Sequence, residues 1–327
     1  MVYNPNGSGG VHDDAVLTEI SLAYENNAFV GENLAPAVTV KKQTDKYKWF
    51  GREGWIPETS DVRAPGTVAN EIEGLEVSKD QYYATEHALQ VPVTDEERQN
   101  ADSPLSPDAD ATELVTNKIL LGRELIIKNM VTNASNYASG LTVTLSGTAQ
   151  WSDYANSDPI AAIRTAFRAM HARTLLEPNL AIIPYQVMSV LQDHPKLMAR
   201  IMYTDRAILT PELIASLLGI PKIIVPGVAV GAGSGFNMTT SYLWGKDVLL
   251  AYVPARAGMR TPAFMYEFVW GYPKAQNVDR WREEPRKSDL IRCTRRYDLK
   301  FVGVETNPSS GDFGKSITGY LIKNAIA

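Results

Sequence analysis

Cysteine is nearly missing from this chain: Cys293 is the one thiol in 327 residues. An intrachain disulfide framework and a multi-cysteine zinc cluster are therefore excluded, and a reducing cytosol is the expected compartment of synthesis. Histidine is scarce as well. His12, His87, His171 and His194 show no H-E-x-x-H or comparable ligand spacing, so no metal is expected. His12, Asp13 and Asp14 read as a capping cluster at a helix start. Long apolar runs are lacking; the stretch 223–233 is broken by Pro226 and Gly227 and falls short of the roughly 18 residues a membrane span needs. The opening MVYNPNGSGGVHDD has neither the basic nor the apolar segment of a secretion signal. Positive charge is not in excess: 32 Lys and Arg against 37 Asp and Glu give a net charge of −5, which argues against a dedicated nucleic-acid binder.

What is present is ordinary in bulk and uneven in layout. The chain is 44% hydrophobic and 21% charged, enough apolar content to exclude disorder as its dominant state. Over residues 53–113, fifteen acids face three bases, a net of −12; over 256–300, eleven bases face six acids, a net of +5. These are either two solvated faces or complementary surfaces that meet within or between subunits.

Residues 1–37 read as an arm with one short helical pattern at 15–24. From Val38 the apolar period shortens: Val38 and Val40, then Tyr47 and Trp49, alternate with polar residues as in strands. A turn-rich stretch over 51–74 leads to a returning pattern over 75–97. Together 38–93 reads as a long, two-stranded excursion, which cannot bury a core of its own. The strongest helix follows, over 110–133. Asp110-Ala-Thr-Glu113 reads as its capping box, and Leu114, Ile119, Leu121, Leu125, Ile126, Met130 and Val131 recur at helical spacing. Its length is roughly 36 Å.

Residues 151–252 alternate helices with short apolar strands. Asp158-Pro159 and Thr210-Pro211 are N-cap plus Pro-at-N1 pairs, and Pro195 breaks a helix that starts at Tyr185. Long alternating strands return over 262–304, and a last strand is expected over 319–322.

No catalytic motif survives scrutiny. Gly231, Gly233 and Gly235 lack the third spacing of a dinucleotide loop, and 236–245 does not read as a helix. Gly314-Lys315-Ser316 resembles the end of a P-loop, but the glycine required five residues before the GK pair is replaced by Ser309. Cys293 reads as a buried strand residue. The acids of 53–113 lie in solvated, turn-rich sequence that would not tune an acid/base pair. No cofactor is expected. An α/β enzyme with a ligand site near the 227–235 glycine loop is the alternative from a different class.

The order of parts, and the stretches ADATELVTNKILLGRELIIKNMVTN (109–133), DPIAAIRTAFRAM (158–170), LAIIPYQVMSVLQDHPKLMARI (180–201), TPELIASLLGIPKIIVP (210–226) and LWGKDVLLAYVP (243–254), resemble the major capsid proteins of tailed double-stranded DNA bacteriophages. The resemblance covers nearly the whole chain and implies an α+β, HK97-like fold. It assigns an N-terminal arm to 1–37, an extended β-hairpin loop to 38–93, a peripheral domain to 94–150 and 256–327 with its spine helix at about 110–133, and an α/β axial domain to 151–255. It implies a non-enzymatic shell subunit assembling as hexamers and pentamers into the icosahedral head around double-stranded DNA, in the host cytoplasm and then in the virion. Scaffold, portal and decoration proteins are the further partners it implies, and DNA contact would be non-specific. A long fused scaffolding segment is not expected. An encapsulin-like nanocompartment shell is the nearest alternative. A hairpin without a core must bury surface on a partner, so Trp49, Phe50, Trp55, Tyr82 and Tyr83 are the expected apolar anchors between subunits. Glu71, Glu73, Arg280, Arg282, Arg295 and Arg296 are the expected charged contacts.

Overall fold

The computed structural model describes residues 12–13, 29–49, 62–69, 77–101, 106–201, 210–232, 239–258, 261–271 and 276–327. In chain order they form β1 His12–Asp13, α1 Gly31–Leu34, β2 Ala37–Val40, β3 Thr44–Lys48, β4 Val77–Tyr83 and β5 Thr85–Thr94. Next come α2 Asp95–Asn100, α3 Pro107–Val131, β6 Thr142–Thr144, α4 Pro159–Thr174, β7 Leu180–Ile182, α5 Tyr185–Gln192 and α6 Pro195–Ile201. Then follow α7 Pro211–Leu218, β8 Lys222–Ile224, β9 Ala229–Ala232, β10 Thr239–Tyr242 and β11 Val248–Ala251. The last are β12 Met265–Trp270, β13 Gln276–Glu283, β14 Ser288–Phe301 and β15 Gly319–Lys323. The helix expected over 15–24 lies outside the described residues. His12 and Asp13 pair with Arg280 and Asp279 as a short strand, and Asp14, like the residues after it up to 28, lies outside the described residues.

The local signals explain most helix ends. Asp158 accepts from the Ala161 amide at 3.0 Å ahead of Pro159. Thr210 caps α7, which ends on Gly219 at φ 74°, a conformation that suits a residue without Cβ. The spine helix differs from its expected start. It opens at Pro107 with Ser106 at the N-cap, so Asp110 falls inside the first turn. The capping box sits earlier, where Thr94 and Glu97 satisfy each other's backbone amides and open α2.

Two sheets organise the chain. The first is built on β14, whose 14 residues pair antiparallel with β13, β5 and β12. The second has the order β6-β15-β11-β7-β8, and β7 and β11 are buried along their whole length. The ladders redraw three expected boundaries. Among the described residues, the excursion expected over 38–93 is paired as a two-stranded ribbon only through β3 and β4; β2 joins β12 and β5 joins β14 in the first sheet. Strands β6 and β15, expected with the peripheral part, pair in the sheet of the α/β lobe. Backbone hydrogen bonding decides this, and alternation alone does not say which sheet a strand joins.

Spine helix α3 connects the two parts. Near its start Ala111, Val115 and Ile119 pack with Val93, Val278, Ile291 and Cys293 on the first sheet. Near its end Ile127 and Val131 enter the large core of the lobe beside Trp151 and Ile163. Its buried stripe is Val115, Ile119, Arg123, Ile127 and Val131 at four-residue spacing. Leu114 and Leu125, expected on that stripe, are exposed.

The lobe meets the first sheet closely at Gly319, where a Cβ would lie 2.3 Å from the buried ring of Phe264. Gly319→Ala is expected to destabilise the dissociated subunit by about 1–3 kcal/mol, read as a lowered midpoint in urea. An unchanged midpoint would show that the Phe264 ring yields freely.

Candidate functional site

Side chains that could do chemistry are engaged elsewhere. Ser157 Oγ lies 3.0 Å from His194 Nε2 in the interior. The Lys196 amide donates to His194 Nδ1 at 3.2 Å, so Nδ1 is an acceptor and the ring proton sits on Nε2, pointing at the serine. A histidine in that tautomer cannot take the serine proton as a base. Burial, then the Lys196 charge, pushes the His194 pKa below its usual value. Cys293 is buried in β14 between β13 and β5. Gly231 lies on β9, which pairs antiparallel with β10; Gly233 and Gly235 lie outside the described residues. Lys315 pairs with Asp312 at 3.2 Å. Among the described residues, no group of three or more His, Cys, Asp or Glu could hold a metal, and no helix is long and apolar enough to cross a membrane.

The segregated charges meet inside the subunit. Asp289 takes Arg98 at 2.7 Å and Arg280 at 2.6 Å. Arg98 also reaches Asp108 at 2.7 Å, and Arg282 grips both carboxylate oxygens of Asp95. Three arginines and three aspartates thus tie α2, the start of α3, β13 and β14 together. Burial alone would raise the Asp289 pKa, but the bonds from Arg280 and Arg98 outweigh it and hold it low. Arg296 pairs with Glu86 at 2.8 Å and Lys300 with Asp80 at 3.0 Å, which links β14 to the returning ribbon strand β4 and to β5 after it.

A second set of buried charges lies at the middle of the spine helix, and the sequence reading missed it. Arg123, Glu124 and Glu267 are 2%, 1% and 0% exposed. Glu267 accepts from Arg123 and, at 3.0 Å, from Arg295. Glu124 accepts from the Val30 and Gly31 amides at 3.0 and 2.8 Å and from the Trp244 indole at 2.8 Å. Burial raises the Glu124 pKa, and these three donors oppose that shift. Gly31 is fixed by contact: a Cβ there would lie 2.7 Å from Ile127 and 2.9 Å from the Glu124 carboxylate. One signal was available, an arginine set within an i, i+4 apolar stripe.

The expected aromatic anchors divide. Trp49 and Tyr82 are buried within the subunit itself. The Tyr82 ring stacks on Phe268 at 4.9 Å, Tyr47 lies 5.2 Å from the same ring, and Trp49 meets Phe313 edge-on at 5.3 Å. The base of the ribbon therefore docks on its own sheet, which supplies the core a free hairpin lacks. Tyr83 is exposed. Phe50, Trp55, Glu71 and Glu73 lie outside the described residues. Arg280, Arg282, Arg295 and Arg296 all make ion pairs within the chain.

No family model matches the chain. The major capsid protein of Burkholderia phage BcepMu is 31% identical over 297 residues, spanning 89% of this chain and 94% of the relative. That of Pseudomonas phage JBD67 is 32% identical over 265 residues, spanning 79% and 83%. Among solved structures, a phage-related protein from Bordetella bronchiseptica RB50 superposes with a TM-score of 0.76 at 24% identity, covering 96% of this chain and 97% of that one. The mature capsid of bacteriophage PhiM1 gives 0.54 at 14% identity, covering 98% and 92%. The shared architecture is the HK97-type α+β fold.

Two expectations follow from the buried groups. Arg295→Glu would set a carboxylate against buried Glu267 and is expected to cost the isolated subunit about 3–5 kcal/mol. Arg296→Glu, on a half-exposed pair, is expected to cost about 1 kcal/mol; chemical denaturation of the two variants separates them. His194 is held neutral in the fold, with a pKa below 6.5. Its contribution to stability is therefore complete above 6.5 and is lost as pH falls through the depressed value. His87, also lowered by burial, acts in the same sense. His194→Gln keeps a donor toward Ser157 without titrating, so stability between about pH 6.5 and 5 should fall less steeply than in the parent.

Proposed function

The chain belongs to the phage major capsid proteins, and from that membership we propose how its parts divide the building of a shell. The protein is a structural subunit that self-assembles into the icosahedral head enclosing double-stranded DNA. Its place is the virion capsid. The ribbon beyond Trp49 and Val77 crosses onto a neighbouring subunit. The α/β lobe meets its copies at the centres of hexamers and pentamers, and the N-terminal arm reaches adjacent subunits. Assembly takes place in the host cytoplasm with scaffold and portal proteins, and contact with packaged DNA is non-specific.

One observation carries the role of the ribbon. Its base is docked on the chain's own sheet through Tyr47 and Tyr82, while residues 62–69 are all exposed, Val68 at 85% and Val62 at 79%. Apolar side chains held that far out of a folded subunit gain only when another surface covers them. Many weak contacts of this kind, repeated around a closed shell, give stability by avidity.

Replacing residues 50–76 with a short Gly/Ser turn tests this directly. The subunit is expected to keep its circular dichroism spectrum and denaturation midpoint, because the docked base is intact, while electron microscopy finds no closed shells. Shells of normal size and yield would overturn the role given to the ribbon.

A further inference from the structure

His194 is the joint between two helices of the lobe. Its amide closes the last turn of α5 on the Leu191 carbonyl at 3.2 Å, and its carbonyl accepts from the Leu197 and Met198 amides at 3.0 and 3.1 Å to start α6. The side chain adds a cap, since Nδ1 accepts from the Lys196 amide at 3.2 Å. The ring is fully withdrawn from water, with Ser157 at Nε2 and Tyr154 edge-on at 5.6 Å. Ser157 immediately precedes Asp158, the N-cap of α4, so one imidazole ties α6 to the entry of α4.

Little else holds α6. Over residues 195–200 only Leu197 is buried. The Lys196–Asp158 pair, at 3.5 Å, is half-exposed on both sides, and such pairs add little in water. An element with so few buried contacts opens more readily than a buried sheet, and β7 and β11 of the same lobe are buried along their whole length.

Protonation reverses the chemistry of the ring. A neutral imidazole accepts at one nitrogen and donates at the other, whereas the imidazolium donates at both. Two N–H groups would then face each other at Nδ1, and the Lys196 amide would lose its acceptor. The charge would also need an acceptor of its own. The titratable and charged groups on the elements around it are Asp153, Tyr154 and Asp158 ahead of α4, Asp193 at the end of α5 and Lys196 on α6. Asp193 is exposed. Asp153 is occupied by the Asn156 side chain and by the Ala155 and Asn156 amides. Asp158 gives one oxygen to the Ala161 amide and the other to Lys196, and Lys196 repels a second cation. Burial and that lysine lower the His194 pKa, with Asp158 opposing them. A released ring regains the ordinary value of about 6.5, so acid favours the released form from there down to the lowered value.

We propose that the α5–α6 elbow is an acid-released latch: charging His194 frees α6 from the lobe while the lobe's sheet stays folded. His87 and His171 lack the arrangement. His87 sits inside the β5–β14 ladder, stacked on Tyr297 at 4.4 Å, and His171 is exposed. The latch is a property of the single subunit and does not depend on how the shell is built.

The test is amide hydrogen exchange of the full-length dissociated subunit between about pH 7.5 and about pH 5, with each rate corrected for the intrinsic pH dependence of exchange. From about pH 6.5 down to the lowered His194 value, protection over 193–201 is expected to fall by up to about tenfold per pH unit, while β7 and β11 keep theirs. His194→Asn retains an acceptor for the Lys196 amide and does not titrate in this range, so its 193–201 amides should stay protected throughout. His194→Ala removes the acceptor and should expose the same amides already at about pH 7.5. No acid-dependent loss in the wild type, a loss shared equally by β7 and β11, or a loss that persists in His194→Asn overturns the proposal. If His194→Asn does not fold, the wild-type series decides alone: the loss must be confined to 193–201 and absent from 85–94, which carries His87.

Discussion

Arg123 and Glu124 stand next to each other at the middle of the spine helix, both withdrawn from water. An ionised group loses several kcal/mol of hydration on burial, recovered only if every partner is in place. Here the partners come from three directions. Glu267 and Arg295 belong to the first sheet, Trp244 to the lobe, and the Val30 and Gly31 amides to the turn that opens α1. Moving any one of these parts away strands a charge that the others cannot satisfy. The arm anchor, the lobe and the sheet are thereby coupled through one helical turn, in addition to the large apolar core that Val30 and Leu34, Ile182 and Leu249, and Met265 and Leu299 share. Apolar packing alone tolerates sliding; a set of directional bonds to buried charges does not.

The uneven charge of the chain acquires a local meaning in the same way. Several arginines of the basic stretch already have acidic partners in the same chain. Arg280, Arg282, Arg292 and Arg296 are bound to Asp289, Asp95, Asp279 and Glu86 within the subunit. These pairs tie β14 to β13 and β5, and β13 to α2. Among the described residues, the exposed large apolar groups are scattered, as at Val62, Val68, Leu89 and Leu114.

Much of this fold was legible in the sequence because local chemistry set it. Asp158-Pro159, Thr210-Pro211, Gly219 and Pro195 mark helix limits by rules that act within a few residues, and the structure puts helix ends there. The family was legible from element order, and the relatives agree. Partner choice was not legible. Alternation in 85–94 and 319–323 identifies strands but not their neighbours, which depend on residues two hundred positions away. Tyr82 and Trp49 read as anchors for another subunit because nothing local reveals Phe268 or Phe313 beneath them. Arg123 hid for a similar reason: a charge on an apolar stripe looks like a surface residue until its distant partner is known.

Strand β15 has a consequence for how the subunit is made. It lies between β6 and β11, although 179 positions separate Leu321 from its partner Thr142 and it follows β11 in the chain by more than sixty. The lobe's sheet stays split, with two raw edges, until residue 323 has left the ribosome. Domains that can close early during synthesis do so from the N-terminal side; this one must wait. A prematurely terminated chain therefore lacks the strand that joins the two halves of its lobe, and the growing shell meets only finished subunits as competent building blocks.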